Sequence, residues 1–63
     1  MSIVRVDMIK GRTIEQKRSM VKEVTEAMVK TLNCKKEAVR IIITEKEKED
    51  LGVGGILRSD TDG

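Results

Sequence analysis

The sequence contains no proline, no histidine and no aromatic residue, and it has a single cysteine. Without Phe, Trp and Tyr, the chain lacks the side chains that contribute most to core burial. One cysteine excludes an intramolecular disulfide, and with no histidine there is no plausible zinc set. A chain of 63 residues buries only about 60% of the surface that its unfolded form exposes. We therefore expect one domain, residues 1–63, that gains stability by self-association.

The number and distribution of charged residues argue against two further classes of protein, nucleic-acid binders and membrane proteins. Lys and Arg number 13 and Asp and Glu 11, which gives a net charge of +2. This balance, together with the lack of stacking rings, argues against a nucleic-acid partner. Charged residues interrupt every apolar run well short of about 18 residues, so no membrane span or signal peptide is indicated. The unpaired cysteine suits a reducing compartment, and we expect a cytoplasmic protein without a cofactor.

The first residues predict a strand, over Ile3–Ile9, that is broken at Gly11. Side chains alternate along a strand, so one face would be apolar and the other mixed. If this strand lies in the middle of a small domain, it holds the chain terminus in place. A fixed α-amino group can titrate near neutral pH and act as a base or nucleophile.

A helix of about 20 residues is predicted next. Thr13 and Gln16 have the spacing of a capping box at its start, and Asn33 suits its end. Its outer side is predicted to be charged and to include Lys17. The stripe predicted to pack consists of Ile14, Val21, Val24, Ala27 or Met28, and Leu32.

A second strand is predicted over Val39–Thr44. Strand, helix and strand within this length form a right-handed βαβ unit with parallel strands. One helix covers only one face of two strands, so we expect the other face to pack on another subunit.

The remainder of the chain is polar and glycine-rich. Glu45–Asp50 is predicted to be solvated, and the three glycines at 52, 54 and 55 predict a hairpin or bulge. They do not form a phosphate loop, because no Lys-Ser/Thr pair follows. Arg58–Gly63 is predicted to be a flexible tail.

Two arginines are the strongest candidates for binding. Arg12 follows the first strand and Arg40 lies within the second. A guanidinium grips a carboxylate through two hydrogen bonds, so each could hold an acidic ligand. From spacing alone, an ion pair at the surface or between subunits is the alternative for both.

Taken together, these features resemble the 4-oxalocrotonate tautomerase family. The matching pieces are the opening strand, Gly11-Arg12, the helix start at Glu15-Gln16-Lys17, Val39–Glu45 and Gly52–Gly55. The resemblance covers residues 2 to about 58. It implies an α+β fold with a β-α-β subunit and a C-terminal hairpin, as in tautomerases. It also implies a homo-oligomer in which three dimers, each with a four-stranded sheet, form a hexamer.

The resemblance also implies a chemistry. Members of this family use an N-terminal proline, exposed by removal of the initiator Met, to move a proton within an enol or dienol acid and form the keto acid. Arg12 and Arg40 match the arginines that bind the substrate carboxylate and the carbonyl oxygen from neighbouring subunits. Ser2 stands where the family has proline, and Leu51 where it has a pocket aromatic. Removal of Met1 would leave Ser2 with a primary α-amine as the base.

Three functions are compatible with this pattern. The first is a tautomerase-like isomerase with Ser2, Arg12 and Arg40 as catalytic residues and Leu51 as a pocket wall. The second is a non-catalytic oligomer that binds small carboxylates through the two arginines. The third is a subunit that lacks the base and works beside a proline-bearing partner in a mixed hexamer.

Overall fold

The computed structural model describes residues 1–61, which form a strand–helix–strand unit followed by a small hairpin. Strand β1 pairs in parallel with β2, and β3 pairs antiparallel with β4. This confirms the predicted α+β fold with a β-α-β unit and a C-terminal hairpin. The elements are β1 (Ser2–Ile9), α1 (Ile14–Leu32), β2 (Val39–Lys46), β3 (Gly52–Val53), β4 (Ile56–Leu57) and α2 (Arg58–Thr61), with short 3-10 turns at Lys36–Ala38 and Lys48–Asp50.

The two faces of the parallel pair differ in burial. Residues on the face toward α1 are half-buried, namely Val4, Val6, Met8, Val39, Ile41 and Ile43. On the opposite face Ile3 is 57% and Ile42 is 41% exposed. Parallel strands ordinarily have both faces covered, so this exposed face is unusual for a parallel sheet.

Both ends of α1 are capped as predicted. The Gln16 N–H donates to the Thr13 hydroxyl over 3.1 Å, and the Thr13 N–H donates to Gln16 Oε1 over 2.9 Å. Asn33 ends the helix with a left-handed φ of 53°. The packed stripe differs from the prediction, because Ile14 and Leu32 are 59% and 56% exposed. The half-buried positions are Lys17, Met20, Val21, Val24, Thr25, Met28 and Val29.

The hairpin is confirmed at the glycines. Gly54 and Gly55 have φ values of 60° and 85°, and they link β3 to β4 as a two-residue turn of the type that favours positive φ at both positions. After β4 the chain forms one helical turn, α2, where the sequence predicted a tail without regular structure. The rest of that predicted tail, residues 62–63, lies outside the described residues.

The chain by itself does not enclose a core. No residue within 1–61 is buried, and the accessible surface is 5235 Å². A compact monomer of this mass is expected to expose about 4,100 Å². The radius of gyration is 14.9 Å, against about 11 Å for a compact domain of this length. Within residues 1–61, no helix has the length and apolar character needed to cross a membrane.

Candidate functional site

Ser2 and Arg40 lie together at one end of the parallel pair, which we name the amine end. Ser2 opens β1 and is half-buried, and Arg40 lies opposite Ile3 in the register. The Arg40 side chain extends toward the start of the chain, because its Nε–H donates to the Met1 sulfur over 3.1 Å. A thioether is a weak acceptor, so this contact is a poor substitute for an anion.

The Arg40 guanidinium has no carboxylate partner in the described part of the chain, whereas Lys10 and Lys17 pair with Glu47 and Glu45. A surface ion pair within one chain, the alternative reading of this arginine, is therefore not formed. Arg40 is exposed, so it keeps its donors available for a ligand or for a neighbouring subunit.

Arg12 lies at the opposite end of β1, in the connection to α1. Gly11 turns the chain there with a φ of 135°, a conformation that favours glycine. Arg12 lines a depression of about 250 Å³ together with Met8, Gln16, Lys17 and Met20. Across residues 1–61 its guanidinium also lacks an acidic partner within 4.0 Å.

Leu51 lies at this second end too, which we name the loop end and define by Arg12 and Leu51. Leu51 is 39% exposed, and its carbonyl accepts a hydrogen bond from the Arg58 N–H over 2.8 Å. It borders a hollow of about 220 Å³ that includes Met8, which also lines the Arg12 depression. Leu51 and Arg12 therefore line neighbouring hollows that share Met8.

Two ion pairs hold the loop end. Lys17 Nζ lies 2.9 Å from Glu45 Oε2 and joins the start of α1 to β2. The sequence placed Lys17 on the outer side of the helix, which is wrong, because Lys17 is half-buried and pairs with β2. Glu45, predicted to lie in a solvated segment, is an exposed residue near the end of β2. Lys10 Nζ lies 3.0 Å from Glu47 Oε1, and the hydrogen bond to Glu47 raises the pKa of Lys10.

The strand β1 separates the two ends. Its residues advance about 3.3 Å each, so Ser2 and Ile9 lie roughly 23 Å apart. One chain therefore does not bring Ser2 and Arg40 together with Arg12 and Leu51. A site that used all four residues would take its two halves from different chains.

A larger hollow lies elsewhere and contains none of the predicted site residues. It has a volume of about 640 Å³ and follows the α1 stripe of Val21, Thr25 and Val29. Three lysines and one glutamate border it, namely Lys22, Lys30, Lys36 and Glu26. These exposed charged side chains surround an apolar floor.

Comparisons with known proteins agree with the fold and the sequence pattern. A family model described as tautomerase enzyme matches residues 3–60. A probable tautomerase of Listeria monocytogenes is 43% identical over 60 residues, covering 95% of this chain and 98% of the relative. One of Lactiplantibacillus plantarum is 42% identical, covering 95% and 94%.

Solved structures give the same assignment. A 4-oxalocrotonate tautomerase isozyme of Methylibium petroleiphilum superposes with a TM-score of 0.92 at 38% identity, covering 95% of this chain and 94% of that one. A heterohexameric 4-oxalocrotonate tautomerase of Chloroflexus aurantiacus superposes with a TM-score of 0.89 at 30% identity, covering 95% and 97%. The predicted resemblance is confirmed: the chain belongs to the tautomerase family.

Proposed function

We propose that this tautomerase-family chain is an isomerase acting on a small enol or dienol carboxylic acid of the 2-hydroxymuconate type. Removal of Met1 would leave the Ser2 α-amine as the general base that moves a proton between carbons and yields the keto acid. The observation that carries the proposal is the Arg40 side chain, which reaches the first residue and has no carboxylate partner within residues 1–61.

The two arginines have complementary roles in this proposal. One binds the substrate carboxylate through its planar fork, and the other stabilises the negative charge that develops on the enolate oxygen. Leu51 supplies an apolar wall, which excludes water and strengthens both interactions. Because Arg12 and Arg40 lie at opposite ends of the parallel strand pair, a complete site needs the amine end of one subunit and the loop end of another.

The assembly we propose is a homohexamer built as a trimer of dimers. The exposed Ile3 and Ile42 on the open sheet face support it, as does the surface in excess of a compact monomer. Burying such a face against a second copy is the ordinary remedy for a chain of this size. The comparison with a heterohexameric relative supports an assembly of six chains.

The test is ketonisation of 2-hydroxymuconate and phenylenolpyruvate by tag-free protein, followed by ultraviolet absorbance. Intact mass measured on the same sample reports whether Ser2 carries the amine. We expect turnover that falls about a hundredfold in Arg12→Ala and in Arg40→Ala, with Arg18→Ala as a matched exposed control on α1. Absence of turnover, or equal rates in all three variants, would contradict the proposal.

A second function has two supports. The resemblance to the family puts Ser2, a primary amine once Met1 is removed, where the family has a secondary amine, and the Chloroflexus relative is a heterohexamer. The chain would then bind carboxylates without turnover, or contribute arginines beside a proline-bearing partner. Co-purification of such a partner from the source cells, with activity only in the mixture, would identify this case.

A further inference from the structure

The start of the chain and the Arg40 side chain lie close together across the two parallel strands. Ser2 lies one residue before Ile3, the register partner of Arg40, and neighbouring strands are about 4.8 Å apart. The Arg40 Nε–H points at the Met1 sulfur, so removal of Met1 vacates the position that this guanidinium now contacts. The newly exposed Ser2 amine and the guanidinium would then face the same space.

We propose that the Ser2 α-amine forms a Schiff base with small 2-oxo carboxylic acids whose carboxylate is held by Arg40. This inference rests on the proposed function only for the removal of Met1 and the place of the amine. It adds a covalent step that a proton-transfer mechanism does not use.

The step balances without a further reagent. The neutral amine attacks the carbonyl carbon and a C–N bond forms, while the carbonyl π electron pair moves to oxygen and one amine proton is transferred to that oxygen, which gives the carbinolamine. The C–O bond then breaks and hydroxide leaves, and the remaining proton on nitrogen passes to the hydroxide to form water, which leaves a neutral imine. A secondary amine has no second proton to lose and stops at a charged iminium, so the neutral product is specific to a primary amine such as that of Ser2.

The charge arrangement selects the class of carbonyl compound. A 2-oxo acid places its carboxylate directly beside the carbonyl carbon, so one guanidinium can hold the acid while the adjacent amine attacks. A simple aldehyde lacks the anion and gains nothing from Arg40. The α-amine also has an advantage over the lysines, because an α-amine ordinarily titrates near 8 and a lysine near 10.4.

The experiment traps the imine by reduction. Tag-free protein is incubated at pH 7 with pyruvate and sodium cyanoborohydride, and the adduct is counted by intact mass and located by peptide mapping. We expect one reduced pyruvate on Ser2, and labelling about tenfold slower in Arg40→Gln, because the variant loses the charge-assisted hydrogen bonds to the pyruvate carboxylate. Arg18→Gln is the matched control and should label like the parent.

Acetaldehyde serves as the probe without a carboxylate, and it should label the parent and Arg40→Gln at equal rates. Adducts on lysines alone, equal pyruvate labelling of parent and Arg40→Gln, or retention of Met1 would each overturn the inference. Ketonisation of enol acids is measured separately. Trapping without ketonisation would contradict the proposed isomerase and support the Schiff base, and the reverse result would do the opposite.

Discussion

The amine end and the loop end of the parallel pair are built in different ways. At the amine end, Ser2 and Arg40 belong to β1 and β2, and the ladder register fixes their relative position. At the loop end, Arg12 and Leu51 lie in connections, outside the strands. There the Lys17–Glu45 pair and the Arg58 N–H to Leu51 carbonyl bond hold the backbone.

This difference fits the separate tasks that the proposed function gives the two ends. Residues within a strand keep a fixed distance from one another, which suits an amine and a guanidinium proposed to work side by side. Residues in connections adapt more easily to different ligands and partners. In an assembly that joins unlike ends, each chain would contribute a rigid half to one site and an adaptable half to another.

The largest effect is expected from preventing the two ends from meeting. Ile42→Lys places a cation on the open sheet face beside Arg5, its register partner. Burying this charge in a subunit interface costs several kcal/mol, so we expect both the proposed hexamer and the proposed activity to be lost. Sedimentation and ketonisation measure the two losses, and Ser19→Lys on exposed α1 surface is the control. A hexamer that persists in Ile42→Lys would show that this face is not an interface.

A smaller effect is expected when the amine end and the loop end are inactivated in different chains. Arg12→Ala and Arg40→Ala should each lower the rate about a hundredfold. Co-expression of the two variant chains should restore activity to about a quarter of that of the parent, because random mixing pairs an intact amine end with an intact loop end in that fraction of sites. A co-expressed mixture as inactive as either variant would place both arginines in a single-chain site.

A smaller effect is expected from changing the amine itself. Ser2→Pro should raise the ketonisation rate about tenfold, because the proposed site, if it follows the family resemblance, is shaped around a secondary amine. Proline is tolerated at the first residue of a strand, so the ladder should persist. Ser2→Ala keeps a primary amine and should match the parent within about twofold. A rate in Ser2→Pro at or below that of the parent would mean that the amine end does not act as the base.

The local structure could be predicted because its determinants are close in sequence. Thr13 and Gln16 define the helix start by hydrogen bonds three residues apart, and Asn33 defines its end. The paired glycines define the hairpin, since they alone supply positive φ without strain. These features do not depend on packing elsewhere in the molecule.

Contacts between residues distant in sequence could not be predicted without the three-dimensional structure. Lys17 and Glu45 form their ion pair only when α1 lies over β2, and no sequence spacing indicates that geometry. Met1 meets Arg40 because of the parallel register. Ile14 and Leu32 continue the apolar spacing of α1, yet they stay mostly exposed in the single chain, and spacing alone does not show which apolar positions are covered. The roles of Ser2, Arg12, Arg40 and Leu51 stay predictions, because they depend on contacts between chains.

The smallest effect is expected from breaking the Lys10–Glu47 ion pair at the loop end. Lys10 donates its backbone N–H to the Lys46 carbonyl over 2.9 Å and its side chain pairs with Glu47. The hydrogen bond to Glu47 raises the pKa of Lys10, so the folded state holds this proton more tightly than the unfolded state. The stabilisation is complete below the unfolded pKa of about 10.4 and disappears as pH rises through the higher folded pKa.

Glu47→Gln should therefore melt at a slightly lower temperature than the parent at pH 7 and at the same temperature at strongly alkaline pH, with Glu49→Gln as the control. Both partners are exposed, so added salt should reduce the difference at pH 7. A difference that persisted at alkaline pH would assign the effect to packing of the Glu47 side chain rather than to its charge.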